Sequence, residues 1–362
     1  MSLNRYIVTF KKKERLDMKF GMVVNTQSPP DSSGMAQLYE EILAESELAD
    51  AVGFDGVYVP EHHMKPDGYL PAPMVLLAAI AARTKKVRVG TAIMHLPQWH
   101  PIHVAEEIAV LDNISRGRAT LGVGLNLVDD EMALFGITRE NVVTRFTESI
   151  DILRKSWGEK NFSYDGKIYQ LNDVTITPRI VQDEIPLWIG AMSEPAVKRA
   201  GQLGTGFVTD PLHKGSVIKV WADLYRDTAK AHGFGDKAEV ILGRDGWVTN
   251  NPKELRESWW PTILDYHLFY KNLGFFTSGR FNSDMEPWVL TATNEDWTYD
   301  NVVPDRIIAG TPEQVIAEIE YYRDEIGVDQ ILFALRHASG PSHEETMACI
   351  ELFGKEVIPH FA

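Results

Sequence analysis

The chain has 362 residues, 44% hydrophobic and 24% charged, with a formal net charge of −15 at pH 7. That length suits one large α/β barrel or two medium domains, and it buries most of its apolar surface without disulfides. The acidic balance argues against nucleic acid, which needs clustered Lys and Arg, and against an anionic membrane surface.

The one basic cluster, Lys11-Lys12-Lys13, lies in Met1–Asp17, which reads as a peripheral N-terminal extension. No secretory apolar region follows Met1, and no uninterrupted apolar stretch is long enough to span a bilayer. From Met18 onward, apolar β-type runs alternate with amphipathic helical patterns. "MKFGMVV" is strand one, and "AQLYEEILAESELADAVG" is its helix, stopped by Gly53. "GVYVP" is strand two and "PMVLLAAIAART" helix two; "VRVGTAI" is strand three and "HVAEEIAVLDNIS" helix three. "ATLGVG" is strand four, followed by helical "DDEMALFG" and "TRFTESIDILRKSW". "FSYDGKIYQLNDVTITP" (Phe162–Pro178) departs from this pattern and alternates like a small antiparallel excursion, with a turn at Asp165-Gly166. "PLWIG", "TGFVT", "EVILGRDGWVT" and "QILFAL" supply strands five to eight, each followed by a helical stretch. The last helix carries the only cysteine, Cys349, at a helical spacing that reads as a small buried hydrophobe. A lone cysteine excludes an internal disulfide and fits a reducing cytoplasm.

Eight strand–helix units without a long linker predict one TIM (β/α)8 barrel over residues 18–362, with a doubly wound open sheet as the alternative. The second departure, Gly274–Pro304, is long, aromatic and poorly periodic, and is expected to be a lid with Trp288 and Trp297 covering an apolar site. There is no Walker loop, no full dinucleotide fingerprint and no Cys or His spacing for a structural zinc site.

Barrel enzymes carry their chemistry at the C-terminal ends of the strands. Those ends here hold Asn25-Thr26-Gln27, Glu61-His62-His63, Thr91-Ala92-Ile93, Leu125-Asn126 with Glu131 a turn later, and Gly190-Ala191-Met192-Ser193. Side chains alternate at a strand end, so His62 and His63 are not both expected to face the mouth. Adjacent imidazoles diverge, which disfavours a shared metal. Ser193 is a good N-cap with Pro195 just inside the helix, and a helix start of this kind is either a plain cap or an anion site. Met94, Leu96, Trp99, Phe207 and Trp247 are expected to line an apolar pocket for a phosphorylated planar cofactor and an apolar substrate.

"VPEHHM", "LPQWHPIHVAEEIAVLDNISRGRATLGVG", "EMALFGI", "PLWIGAMSEPAVKRAGQLG" and "GTPEQVIAEI" together resemble the bacterial luciferase-like flavin monooxygenases, from about Met18 to the C-terminus. The resemblance implies reduced FMN delivered by a separate reductase, O2 as co-substrate, a flavin C4a-peroxide, and oxygenation of an apolar aldehyde, ketone or similar small molecule. It also implies a homodimer. By resemblance, His62 is the catalytic histidine, Ser193 binds phosphate with Met192 contributing backbone, Ala92 packs under the flavin ring, and Glu131 lies near it. Glu61, Asn126 and Ala191 complete the expected cofactor site. Two positions depart from the luciferases: Leu125 stands where they carry a phosphate-binding arginine, and Gly124 where they carry a reactive cysteine. The missing arginine keeps a deazaflavin-dependent oxidoreductase as the alternative, with a non-catalytic flavin-binding protein behind it.

Overall fold

The computed structural model describes residues 18–126, 128–272 and 286–362. The expected extension Met1–Asp17, with Lys11-Lys12-Lys13, and residues 274–285 of the expected lid lie outside the described residues.

The barrel strands are β1 (Lys19–Val23), β2 (Gly56–Val59), β3 (Arg88–His95), β4 (Ala119–Gly124), β5 (Leu187–Gly190), β6 (Gly206–Val208), β7 (Val240–Val248) and β8 (Gln330–Ala334). Every pairing among them is parallel. The order runs β7-β8-β1-β2-β3-β4-β5-β6, and pairing of β6 with β7 closes the ring. Parallel strands covered on both faces read as continuous apolar runs, and all four residues of "GVYV" in β2 are buried. The architecture is therefore the expected (β/α)8 barrel.

The helices around it begin and end where their sequences dictate. They are α1 (Met35–Val52), α2 (Pro73–Arg83), α3 (Pro101–Ser115), α4 (Val142–Gly158), α5 (Glu194–Leu203), α6 (Gly215–Ala231), α7 (Pro312–Tyr321) and α8 (His343–Leu352). Proline opens α2, α3 and α7, where its missing N–H has no partner to lose. Gly53 ends α1 at φ 103°, a left-handed conformation that glycine adopts without a Cβ penalty.

The excursion is a two-stranded antiparallel ribbon, Phe162–Asp165 with Gln170–Val174. Its turn is pinned by Glu148 of α4, whose carboxylate accepts from the N–H groups of Lys167, Ile168 and Tyr169 at 2.7, 3.0 and 3.0 Å. A short strand absent from the sequence expectation, Ile308–Gly310, pairs in parallel with the last three residues of β7. Trp297 is 1% exposed. It packs against Trp288 and against His267 of the helix Trp260–Asn272. Neither indole lines the main cavity, so they do not make the expected cover.

Two aromatic side chains fill the barrel lumen. Tyr58 and Trp188 meet at 5.2 Å between ring centroids, inside a cluster with Val208, Ile241 and Leu332. Facing glycines leave the space: a Cβ on Gly206 would lie 2.4 Å from the Trp188 ring. Among the described residues, no helix is long and apolar enough to cross a membrane.

Candidate active site

A cavity of about 480 Å³ opens at the C-terminal mouth of the barrel. Its floor is the top of the lumen cluster, where Val23, Ala92, Val208 and Leu332 belong to both. Ile93, Leu125 and Ile189 form apolar walls, and Tyr69, Tyr266 and Tyr270 form an aromatic one.

Pro60 ends β2, and the next three side chains separate as alternation requires. Glu61 is 1% exposed. Its Oε1 accepts from His63 Nε2 and Trp99 Nε1, both at 2.8 Å, and its Oε2 accepts from the His95 N–H at 2.7 Å. The carboxylate thus ties the β2 exit to the β3 exit, and its oxygens are occupied by protein donors. His63 belongs to this brace. His62 turns the other way, to Glu131.

Glu131 lies in the first turn of the short helix Asp129–Leu134, where the helix dipole favours a negative charge. It is fully buried. Its carboxylate meets His62 Nδ1 at 3.2 Å, Lys65 Nζ at 3.0 Å and Asn126 Nδ2 at 2.9 Å. Burial pushes its pKa up, but hydrogen bonds and charge from His62 and Lys65 outweigh that and hold it down at about 2. An ionised Glu131 only accepts, so His62 donates to it from Nδ1. Tyr69 supports the imidazole ring at 4.5 Å between centroids.

His95 was not legible as a site residue. Strand three was expected to end at Ile93, but β3 continues through a register shift between Thr91 and Met94. The shift turns Ile93 and His95 to the cavity and Met94 into the core. His95 is 6% exposed, and burial pushes its pKa down to about 4. Its Nδ1 lies 3.8 Å from Glu131 and makes no hydrogen bond.

The expected wall of Met94, Leu96, Trp99, Phe207 and Trp247 is corrected as well, since none of the five lines the cavity. Met94, Leu96 and Phe207 are fully buried in the core. Trp99 serves Glu61, and Trp247 lines a separate cavity beside Cys349.

At the β5 exit, Ala191, Met192 and Ser193 all line the cavity. The Ala191 N–H donates to the Val208 carbonyl at 3.2 Å and fixes this turn against β6. Ser193 occupies the N-cap of α5 with extended backbone, φ −157° and ψ 154°, yet its hydroxyl makes no capping bond. That hydroxyl and the first N–H groups of α5 therefore remain available to an anion. Leu125 lines the cavity too and packs on Met132, Ile137 and Val142. Arg199 of α5 also reaches the cavity, another residue not foreseen. Arg244 is braced in the wall, with Nε donating to the Tyr322 hydroxyl at 3.2 Å. Among the described residues, no group of three or more His, Cys, Asp or Glu is placed to hold a metal ion.

The family model described as luciferase-like monooxygenase matches residues 18–330. The oxygenase component of a flavin-dependent trigonelline monooxygenase from Acinetobacter baylyi is 26% identical over 354 residues, covering 95% of this chain and 96% of the relative. An F420-dependent glucose-6-phosphate dehydrogenase from Amycolatopsis mediterranei is 26% identical over 323 residues, 86% of this chain and 91% of the relative. Among solved structures, the monooxygenase RslO1 from Streptomyces bottropensis superposes with a TM-score of 0.79 at 28% identity, covering 95% of this chain and all of that one.

Proposed function

The chain belongs to the luciferase-like monooxygenase family, and from that premise we propose that it is the oxygenase of a two-component system, using reduced FMN and O2 to oxygenate a small apolar aldehyde, ketone or similar compound. The observation that carries this reading is the pairing of His62 with the buried Glu131 at the mouth of an apolar cavity that also holds an uncapped helix start. Reduced flavin supplies the electrons that activate O2; one oxygen atom enters the substrate and the other leaves as water.

The residues present fit that cofactor. The Ser193 hydroxyl makes no capping bond and has no partner among the described residues, and the start of α5 offers N–H donors to a phosphate ester. The small side chain of Ala92 leaves room for a flat ring over the barrel floor. Asn126 and Lys65 hold Glu131 in place, and Glu131 fixes the tautomer of His62. His62 Nε2 is then the group able to take a proton from, or return one to, the reacting atoms. The apolar walls exclude bulk water and select an apolar substrate. A flavin reductase is the implied transient partner, as the name of the Acinetobacter relative, an oxygenase component, suggests.

The test supplies reduced FMN and labelled O2 with a panel of apolar aldehydes and ketones, and measures label in the product. His62→Ala should lower turnover by about 10²- to 10⁴-fold while FMN affinity stays within a few-fold of the parent. Unchanged turnover removes His62 from the chemistry. Leu125 in the cavity wall favours a second reading, a deazaflavin-dependent hydride transfer, as named for the Amycolatopsis relative. Tight deazaflavin binding with turnover independent of O2 would select it.

A further inference from the structure

We propose that Arg199 supplies the cationic contact for the cofactor's phosphate ester, replacing from α5 the positive charge that Leu125 removes from the β4 exit. This rests on the flavin or deazaflavin reading above, because both cofactors carry a phosphate on the ribityl chain.

The geometry begins with the helix. Pro195 and Ala196 lie four and three residues before Arg199, so the three share one face of α5. Helical side chains lean toward the N-terminus of their helix. The short side chains of Pro195 and Ala196 leave the guanidinium a path back along that face to the helix start. All three residues line the same cavity as Ser193.

The charge pattern points the same way. Arg199 is partly buried, and among the described residues it has no hydrogen-bond or ion-pair partner. Burial alone lowers its pKa, with no acidic neighbour pulling it back up. A buried-side arginine without a carboxylate is unusual in a chain of net charge −15. The adjacent cation, Lys198, is by contrast satisfied by Glu194 at 2.6 Å. A dianionic ester placed against Ser193 and the start of α5 would meet a planar donor matched to phosphate oxygens. At the β4 exit, Leu125 lines the same cavity and offers it no charge.

The test measures affinity, without turnover, for two pairs of ligands: FMN with riboflavin, and the phosphorylated deazaflavin with its dephosphorylated core. In the parent protein the phosphorylated member of a pair should bind more tightly. Arg199→Gln should lower that preference by about tenfold or more, with the dephosphorylated ligand bound as before. Arg199→Lys should restore part of it, and Lys198→Gln should leave it intact. Melting temperatures of the variants check that each remains folded. If the preference appears only in the deazaflavin pair, the FMN reading falls and the role of Arg199 stands. The proposal is overturned if Arg199→Gln weakens both members of a pair equally, if the preference is unchanged, or if the parent shows no preference in either pair.

Discussion

Glu61→Gln isolates the brace between the β2 and β3 exits. The replacement is nearly isosteric, so it leaves no cavity and removes one charge. Three donors converge on the carboxylate: His63 Nε2 and Trp99 Nε1 on Oε1, and the His95 N–H on Oε2. An amide offers only one acceptor atom. If its oxygen takes the Oε1 place, its NH2 faces the His95 N–H; if flipped, it faces the Trp99 N–H. In either orientation a buried donor confronts a donor. A hydrogen bond to a charged group contributes about 1.5–3 kcal/mol, and an unsatisfied buried donor costs about 1–3 kcal/mol. Allowing for local adjustment, the loss should be about 2–4 kcal/mol. With a urea dependence of about 3 kcal/mol per molar, the unfolding midpoint measured without flavin should fall by roughly 1 M. Flavin affinity should fall less than tenfold. An unchanged midpoint with a large loss of flavin affinity would refute the brace and make Glu61 a cofactor ligand.

Glu131 couples stability to acid. Its pKa is depressed to about 2 from an ordinary 4.5, so its contribution is fully present above about pH 4.5 and is lost as the pH falls toward 2. That depression sets a ceiling of about 3 kcal/mol. The stability gap between the parent and Glu131→Gln should therefore be widest at pH 7 and shrink at pH 3, and a gap that does not change with pH would contradict the ion pairing. A Cβ at Gly124 would lie 2.1 Å from Cδ1 of Ile93. Gly124→Ala should weaken flavin binding severalfold, and Ile93→Val in the same chain should recover it; no recovery would locate the strain elsewhere. Cys349 is 2% exposed, and burial pushes its thiol up to about 12. It should react with a thiol reagent only on unfolding, and rapid labelling of the native protein would contradict its packing.

The barrel was readable because most β runs are apolar and most intervening segments are helical in period. β2 and β5 illustrate the first pattern, and α1, with its Gly53 stop, the second. The strand Ile308–Gly310 was not readable, since three residues carry no period and pairing with β7 alone defines them. In the candidate site, alternation predicted that His62 and His63 would part company. Strand-end position marked Glu131 as a candidate, but it could not pair Glu131 with His62, which lies 69 residues away in sequence. At the β3 exit, Met94 was misassigned to the wall because a register shift exchanges which residues face the mouth; Phe207 and Trp247 lie on other strands, and neither lines the cavity. His95 was hidden by the same shift, and Arg199 by the phase of a helix whose start alone had drawn notice.

The aromatic filling of the lumen has a kinetic consequence. Tyr58 and Trp188 seal the barrel beneath Ala92 and Leu332, and the Tyr58 hydroxyl is tied to Gln330 at the opposite end, at 3.3 Å. Nothing reaches the cavity by way of the barrel axis. Whatever arrives through the mouth first lies against the floor, and whatever follows sits above it and must depart before it. Two molecules that share the mouth are thereby placed in a queue, with the order of entry and exit written into the stack of side chains below them.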